Sequence, residues 1–142
     1  MKHTYLFTEG VWISRGNYYD ENNNVFSAEG RSEITHQKKL WLNNSSITLS
    51  GPNPVEIIND YRIAPFVNNM TGWQSVNPKL GTLIGRFTVV EDSILSLYSS
   101  ENGEYFGSES FTQINEAEYT WKGALYSVSG KIYSWSVRLE KA

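Results

Sequence analysis

The side chains in this chain with the widest chemical reach are two histidines and a scatter of carboxylates, arginines and tyrosines on alternating segments. General acid–base work needs a carboxyl or phenol of shifted pKa within reach of a substrate. The candidates are Glu109, Arg86 and Tyr126, with Glu33, Asp60 and Tyr61 on other segments able to line a cavity. A buried Glu109 would need a partner, because an unpaired internal charge is costly. If Arg86 also faced inward, it would be that partner or an anchor for an anion. The bland reading of most of these carboxylates is a solvated outer face.

Other chemistries lack their residue patterns. Gly107-Ser108-Glu109-Ser110 has neither the second glycine nor the strand-to-helix setting of a nucleophile elbow. No glycine-rich loop precedes a helix, so no phosphate cradle is expected. His3 reads as part of a frayed terminus, and His36 lies at a strand end beside Gln37-Lys38-Lys39. No histidine–carboxylate cluster has metal-ligand spacing, so no metal site is expected. The absence of cysteine removes disulfides and thiolate ligands.

The elements that must position these groups are strands. Gly10–Tyr19, Val25–His36, 40–50, 55–64, Gly81–Val90, 93–99, 105–114, 119–128 and 131–140 read as β-segments, with no helical interval. The breaks are turn formers: Asp20-Glu21-Asn22-Asn23-Asn24, Gly51-Pro52-Asn53-Pro54, Glu91-Asp92, Glu101-Asn102-Gly103 and Ser129-Gly130. Residues 66–80 are the least regular stretch and read as a lid or long loop, with one short strand at most. Asn43-Asn44-Ser45-Ser46 reads as a possible bulge. Short turns between many strands predict an antiparallel up-and-down meander of 8–10 strands. Pairing the first strand with the last removes two costly edges and closes a barrel.

Composition sets outer limits. A chain of 142 residues suits one domain, 1–142, with a core that needs no staples. The net charge is −3 and Lys38-Lys39 is the one adjacent basic pair, so a nucleic-acid partner is not expected. No run approaches the ~18 apolar residues of a membrane helix, and the N-terminal apolar stretch is too short for a signal peptide. The expectation is a cytoplasmic protein without a membrane partner, with a homodimer left open.

The Gly10-x-Trp12 opening, the continuous meander and Arg138 near the end of the last strand together resemble the calycin superfamily, in its lipocalin-like and nitrobindin-like barrels. No helix pair follows the first strand and no helix lies near the C-terminus. The closer comparison is therefore to short, helix-poor bacterial lipocalin-like proteins. The resemblance implies a calycin-like barrel around a ligand cavity, with a basic side chain lying over the tryptophan at the closed end. Haem held by a histidine, as in nitrobindin-like barrels, would fall to His36; otherwise no cofactor is implied.

Strict alternation works against one part of this. With Tyr133, Trp135, Val137 and Leu139 inside, Arg138 faces out. A Trp12–Arg138 contact then needs a bulge near the strand end or a reach around the rim. The same reasoning places Phe26, Ala28, Gly30, Ser32 and Ile34 inside, and Val55, Ile57, Asn59, Tyr61 and Ile63 likewise. For the strands holding Arg86 and Glu109 both faces remain open.

The leading expectation is a barrel that binds a small apolar or amphipathic molecule, lined by Tyr18, Tyr61, Trp73, Phe87, Tyr126 and Trp135. Phe66, Met70 and Trp73 would border its mouth. One alternative is a barrel enzyme, an isomerase or lyase, that uses Arg86, Glu109 or Tyr126 in the lumen. The other is a solid-core barrel serving as an interaction module. A charged pair converging in the lumen marks the enzyme, and a cavity below ~300 Å³ marks the solid core.

Overall fold

The structure is a computed structural model that describes residues 2–142. Ten strands follow one another: β1 (Gly10–Tyr19), β2 (Val25–His36), β3 (Trp41–Leu49), β4 (Val55–Ile63), β5 (Met70–Asn77), β6 (Gly81–Val90), β7 (Ser93–Ser100), β8 (Tyr105–Asn115), β9 (Glu118–Ser127) and β10 (Gly130–Lys141). Each pairs with its sequence neighbours, and β1 pairs antiparallel with β10, from Trp12 opposite Lys141 to Tyr19 opposite Ser134. The sheet is thus a closed all-β meander barrel with no free edge strand.

Of the alternatives for residues 66–80, the strand is realised: β5 fills much of the supposed lid. Its buried set is Trp73, Ser75 and Asn77, while Met70 and Val76 face out. A mostly polar interior and an apolar exterior invert the usual strand signature, so periodicity hides the strand. Asn43-Asn44-Ser45-Ser46 is no break either. It runs through β3 in register with Ile34–Arg31 of β2, with Asn43 buried.

Inside and outside alternate around the barrel as the pleat requires. The interior positions of β2 and β4 are the predicted ones. In β6, Gly85 and Phe87 are buried while Arg86 is exposed. In β8, Gly107, Glu109 and Phe111 are buried. Large and small inward residues sit opposite one another across neighbouring strands. Trp73 pairs with Gly85, Trp135 with Gly123 and Tyr98 with Gly107. A Cβ built at Gly85 or Gly123 would lie 2.3 Å from the indole beside it. These glycines provide floor space on which the rings lie flat.

One end of the barrel is closed by the N-terminal segment, which is ordered rather than frayed. Residues 2–8 fold across the opening, held by Thr8 N–H to Thr4 C=O (3.0 Å) and Thr4 Oγ1 to Glu116 C=O (2.6 Å). His3 Nδ1 lies 2.7 Å from the Tyr119 hydroxyl, and its Nε2 lies 2.9 Å from Glu91 C=O. Tyr5 and Leu6 are buried beneath the floor. Trp12 is fully buried there, with the rings of Tyr5 and Tyr119 meeting it edge-on at 5.3 and 5.7 Å. Its indole N–H has no hydrogen-bonding partner among the described residues, so packing alone holds it.

The basic side chain implied by the family resemblance is not over Trp12. Arg138 stands opposite Arg15 on the outer face and binds Glu118 (2.7 Å) and Glu140 (3.6 Å). The bulge that could have turned it inward lies far upstream, between Lys131 and Tyr133. Tyrosine edges replace the cation on the indole.

The opposite end is open, ringed by the turns after β1, β3, β5, β7 and β9. Its wall is incomplete on one side. β4 pairs with β5 only from Asp60 opposite Val76 to Ile63 opposite Trp73, so Val55–Asn59 has no ladder to β5. Pro78, which lacks an N–H, stands where that ladder would continue.

These contrasts make a paired expectation. Trp12→Ala should cost about 3–5 kcal/mol, as large-to-small changes in packed cores do. Arg138→Ala, which removes exposed ion pairs, should cost less than about 1 kcal/mol. Urea unfolding of both variants checks the difference.

Candidate functional site

The lumen above the floor is lined by aromatic rings from six strands around a single carboxylate. Tyr18 (β1), Tyr61 (β4), Trp73 (β5), Tyr98 (β7), Trp121 (β9) and Trp135 (β10) surround Glu109 (β8). The rings support each other. Tyr18 stacks on Trp135 at 5.4 Å, Tyr61 meets Trp73 edge-on at 5.0 Å, and Trp121 lies 5.6 Å from Trp135. The space left among them is about 60 Å³. A much smaller void of about 10 Å³ lies nearer the floor, beside Tyr5, Phe87 and Phe111.

Glu109 is the one charged side chain buried among the described residues, at 6% exposure. Its partner is the Trp121 indole, whose N–H donates to Oε1 at 2.8 Å. One donor does not offset the loss of water, and burial pushes the carboxyl up from its ordinary 4.5 to about 7. Burial first, and then the Glu109 charge, also raise the phenols of Tyr18 and Tyr61, with no hydrogen bond to oppose either effect. Tyr98 is raised for the same two reasons, although its hydroxyl donates to Ala124 C=O at 3.3 Å. Tyr5, deeper still and bonded to Asn43, is pushed up to about 12.

Above this chamber a wider bowl of about 420 Å³ opens at the mouth. Ile57, Asn77, Leu80, Leu125 and Tyr133 line both spaces and form the neck between them. The bowl wall is mainly apolar, with Glu56 and Lys79 among its lining residues. Across the broken β4–β5 seam, the Asn59 amide oxygen accepts from Asn77 Nδ2 at 3.0 Å and from Ser75 Oγ at 3.3 Å. Side chains therefore bridge where the backbone ladder has ended.

Most of the sequence-predicted pocket residues meet. Tyr18, Tyr61, Trp73 and Trp135 share the chamber, and Phe87 lies below it. Trp73 is there as a strand residue, with its indole N–H on Ser96 Oγ at 3.1 Å, and not as part of a mouth loop. Phe66, expected at the mouth, packs at the closed end against Phe7 and Trp41. Met70 begins β5 at the same end, facing out. Tyr126 is on the outer face, 37% exposed and stacked on Phe106 at 5.9 Å, so it does not line the lumen.

Arg86 is likewise outside, and no Arg86–Glu109 pair forms. Glu33 and Asp60 are exposed. His36 lies at the closed end, stacked on Trp41 at 4.1 Å with Nε2 bonded to Leu6 C=O at 2.8 Å. An axial role toward haem in the lumen does not fit that position.

The sequence reading misses Trp121 and Tyr98 as chamber residues, while Tyr133 is inside as it expects. Trp121 was accessible to it. The run Tyr119, Trp121, Gly123 and Leu125 is one face of β9, and choosing Tyr126 selected the other. Tyr98 was masked, because its strand carries Leu95 and Leu97 on the outside.

Comparison with known proteins bears on the fold. No family model and no curated protein matches the sequence. Among solved structures, the S-type phycobiliprotein lyase CPES from Guillardia theta superposes with a TM-score of 0.69 at 9% identity, covering 95% of this chain and 88% of that one. Rv2717c from M. tuberculosis gives 0.70 at 14% identity, covering 94% and 92%. The barrel EF1p2_mFAP2b, solved bound to DFHBI, gives 0.55 at 10% identity, covering 99% and 98%.

The raised Glu109 carboxyl makes stability depend on pH in a defined direction. The folded chain holds this proton more tightly than the unfolded chain. Stability is therefore unaffected by the group below about pH 4.5, falls as pH rises toward 7, and stays lowered above it. The span corresponds to about 3 kcal/mol. Glu109→Gln should remove that slope and unfold at higher urea than the parent above neutrality; urea titrations on either side of the window test it. By its closed ten-stranded meander, its aromatic lumen and these superpositions, the chain has a calycin-like barrel fold.

Proposed function

We propose that this protein binds a small, largely apolar or amphipathic molecule at the open end of the barrel. The carrying observation is the bowl of about 420 Å³ set directly above an aromatic chamber that holds one buried carboxyl. Ligand sites are typically ~300–1,000 Å³, mainly apolar, with a few convergent polar groups. The bowl meets that description, while the chamber at about 60 Å³ does not meet it alone. The body of a ligand would sit in the bowl and one small group would pass the neck. The likeness to a barrel solved with DFHBI supports this reading at the level of fold.

The narrow chamber also supports the solid-core alternative, in which the aromatics only fill space. The enzyme alternative loses its charged pair, because Arg86 is outside. Nile red, a neutral planar dye, separates the two remaining readings. Its fluorescence should rise and saturate with the wild-type protein. Leu80→Arg, which sets a charge in the neck, should weaken binding about tenfold or more while leaving the far-ultraviolet circular dichroism unchanged. A dye signal absent from wild type, or equal in the variant, would favour the solid barrel.

A further inference from the structure

The chamber has a chemical bias that its size alone does not convey. Its one charge is negative, it is buried, and three indoles and four phenols line the chamber with it: Trp73, Trp121, Trp135, Tyr18, Tyr61, Tyr98 and Tyr133. Indole and phenol faces carry partial negative charge and attract cations, more strongly when water is excluded. Glu109 is satisfied by Trp121 on Oε1 only. No arginine or lysine is buried with it among the described residues. An anion would meet a carboxylate, with no basic side chain to receive it.

We propose that the Glu109 chamber is an amine-recognition site, taking the ammonium head of a small organic cation whose apolar remainder lies in the bowl. This rests on the ligand-binding reading above and names the class of ligand. The dimensions agree. About 60 Å³ is room for a few water-sized groups, against ~10–15 Å³ for one, which suits an ammonium or methylammonium and excludes a ring. The neck residues Ile57, Leu80, Leu125 and Tyr133 offer apolar contact to the carbon next to the nitrogen.

The burial that holds Glu109 near 7 works in the same direction. A carboxyl short of partners ionises more readily once a cation arrives, so amine binding and loss of the Glu109 proton are coupled. The titratable groups facing it are the phenols of Tyr5, Tyr18, Tyr61, Tyr98 and Tyr133, all raised and neutral through this range. The pH response of the chamber is therefore that of Glu109.

Calorimetry with 2-phenylethylamine and its neutral near-isostere 2-phenylethanol tests the idea. At about pH 8.5 the amine, still largely protonated, should bind wild type about tenfold or more tightly than the alcohol. That preference should fade toward about pH 5.5, with a midpoint near that of Glu109. Glu109→Gln should abolish the preference while still binding the alcohol, which also reports that the variant is folded. If it does not fold, the wild-type pH profile carries the test. Equal affinities at high pH, or a preference that Glu109→Gln leaves intact, would overturn the amine assignment and leave the binding reading standing. Binding of neither compound, with no Nile red signal, would overturn both.

Discussion

The pairing of β1 with β10 is the constraint on which everything else in this molecule depends. A ten-stranded meander has two faces and two edges until its ends meet. Closure removes the edges and gives each strand one inward and one outward set of side chains. From Trp12 opposite Lys141 to Tyr19 opposite Ser134, the register sends Trp12 and Tyr18 inward with Trp135 and Leu139. A slip of one residue along this seam would turn the inward set of the shifted strand to solvent. The same register turns Arg138 outward, so a tryptophan–arginine contact at the base is not available to this chain.

Closure creates an interior that must then be filled, and the two ends solve this differently. At the base the chain folds its own start beneath the barrel. Tyr5, Trp12, Phe111 and Tyr119 make a continuous aromatic block there. Higher up, glycines on the neighbouring strand accommodate the Trp73 and Trp135 indoles and the Tyr98 ring. That packing leaves a small residual chamber instead of a broad cup. The one acid placed in it acquires the properties of its surroundings: poorly hydrated, singly bonded and reluctant to ionise.

Sequence patterning disclosed the architecture well and the site unevenly. Period-two alternation in β2, β4 and β10 points to one inward face each, and the structure follows it. It failed where polarity was inverted. Trp73, Ser75 and Asn77 point inward from β5 while Met70 and Val76 point outward, so a strand resembled a loop. The face of β8 was undecidable locally, since Tyr105 and Phe106 give both sides an aromatic. Only the neighbouring registers, Glu109 opposite Ser96 on one side and Gly123 on the other, settle it. Nor could composition foretell that His3 would tie the first residues to Tyr119, a contact spanning most of the chain.

The half-zipped boundary between β4 and β5 alters what kind of vessel this is. A cylinder with an intact wall admits guests end-on and limits their length to its depth. Here the backbone stitches stop at Asp60, and Val55–Asn59 keeps a backbone ladder on the β3 side alone. The gap runs from the rim down the side, bordered by Pro78 and Leu80 and pinned at its foot by the hydrogen bond from the Asn77 amide to the Asn59 amide oxygen. An occupant too long for the bowl would have a lateral way out, its tail leaving through the slit while its head stays enclosed. The amides along that slit would also be the first in the barrel wall to exchange with solvent, because they have the least to break.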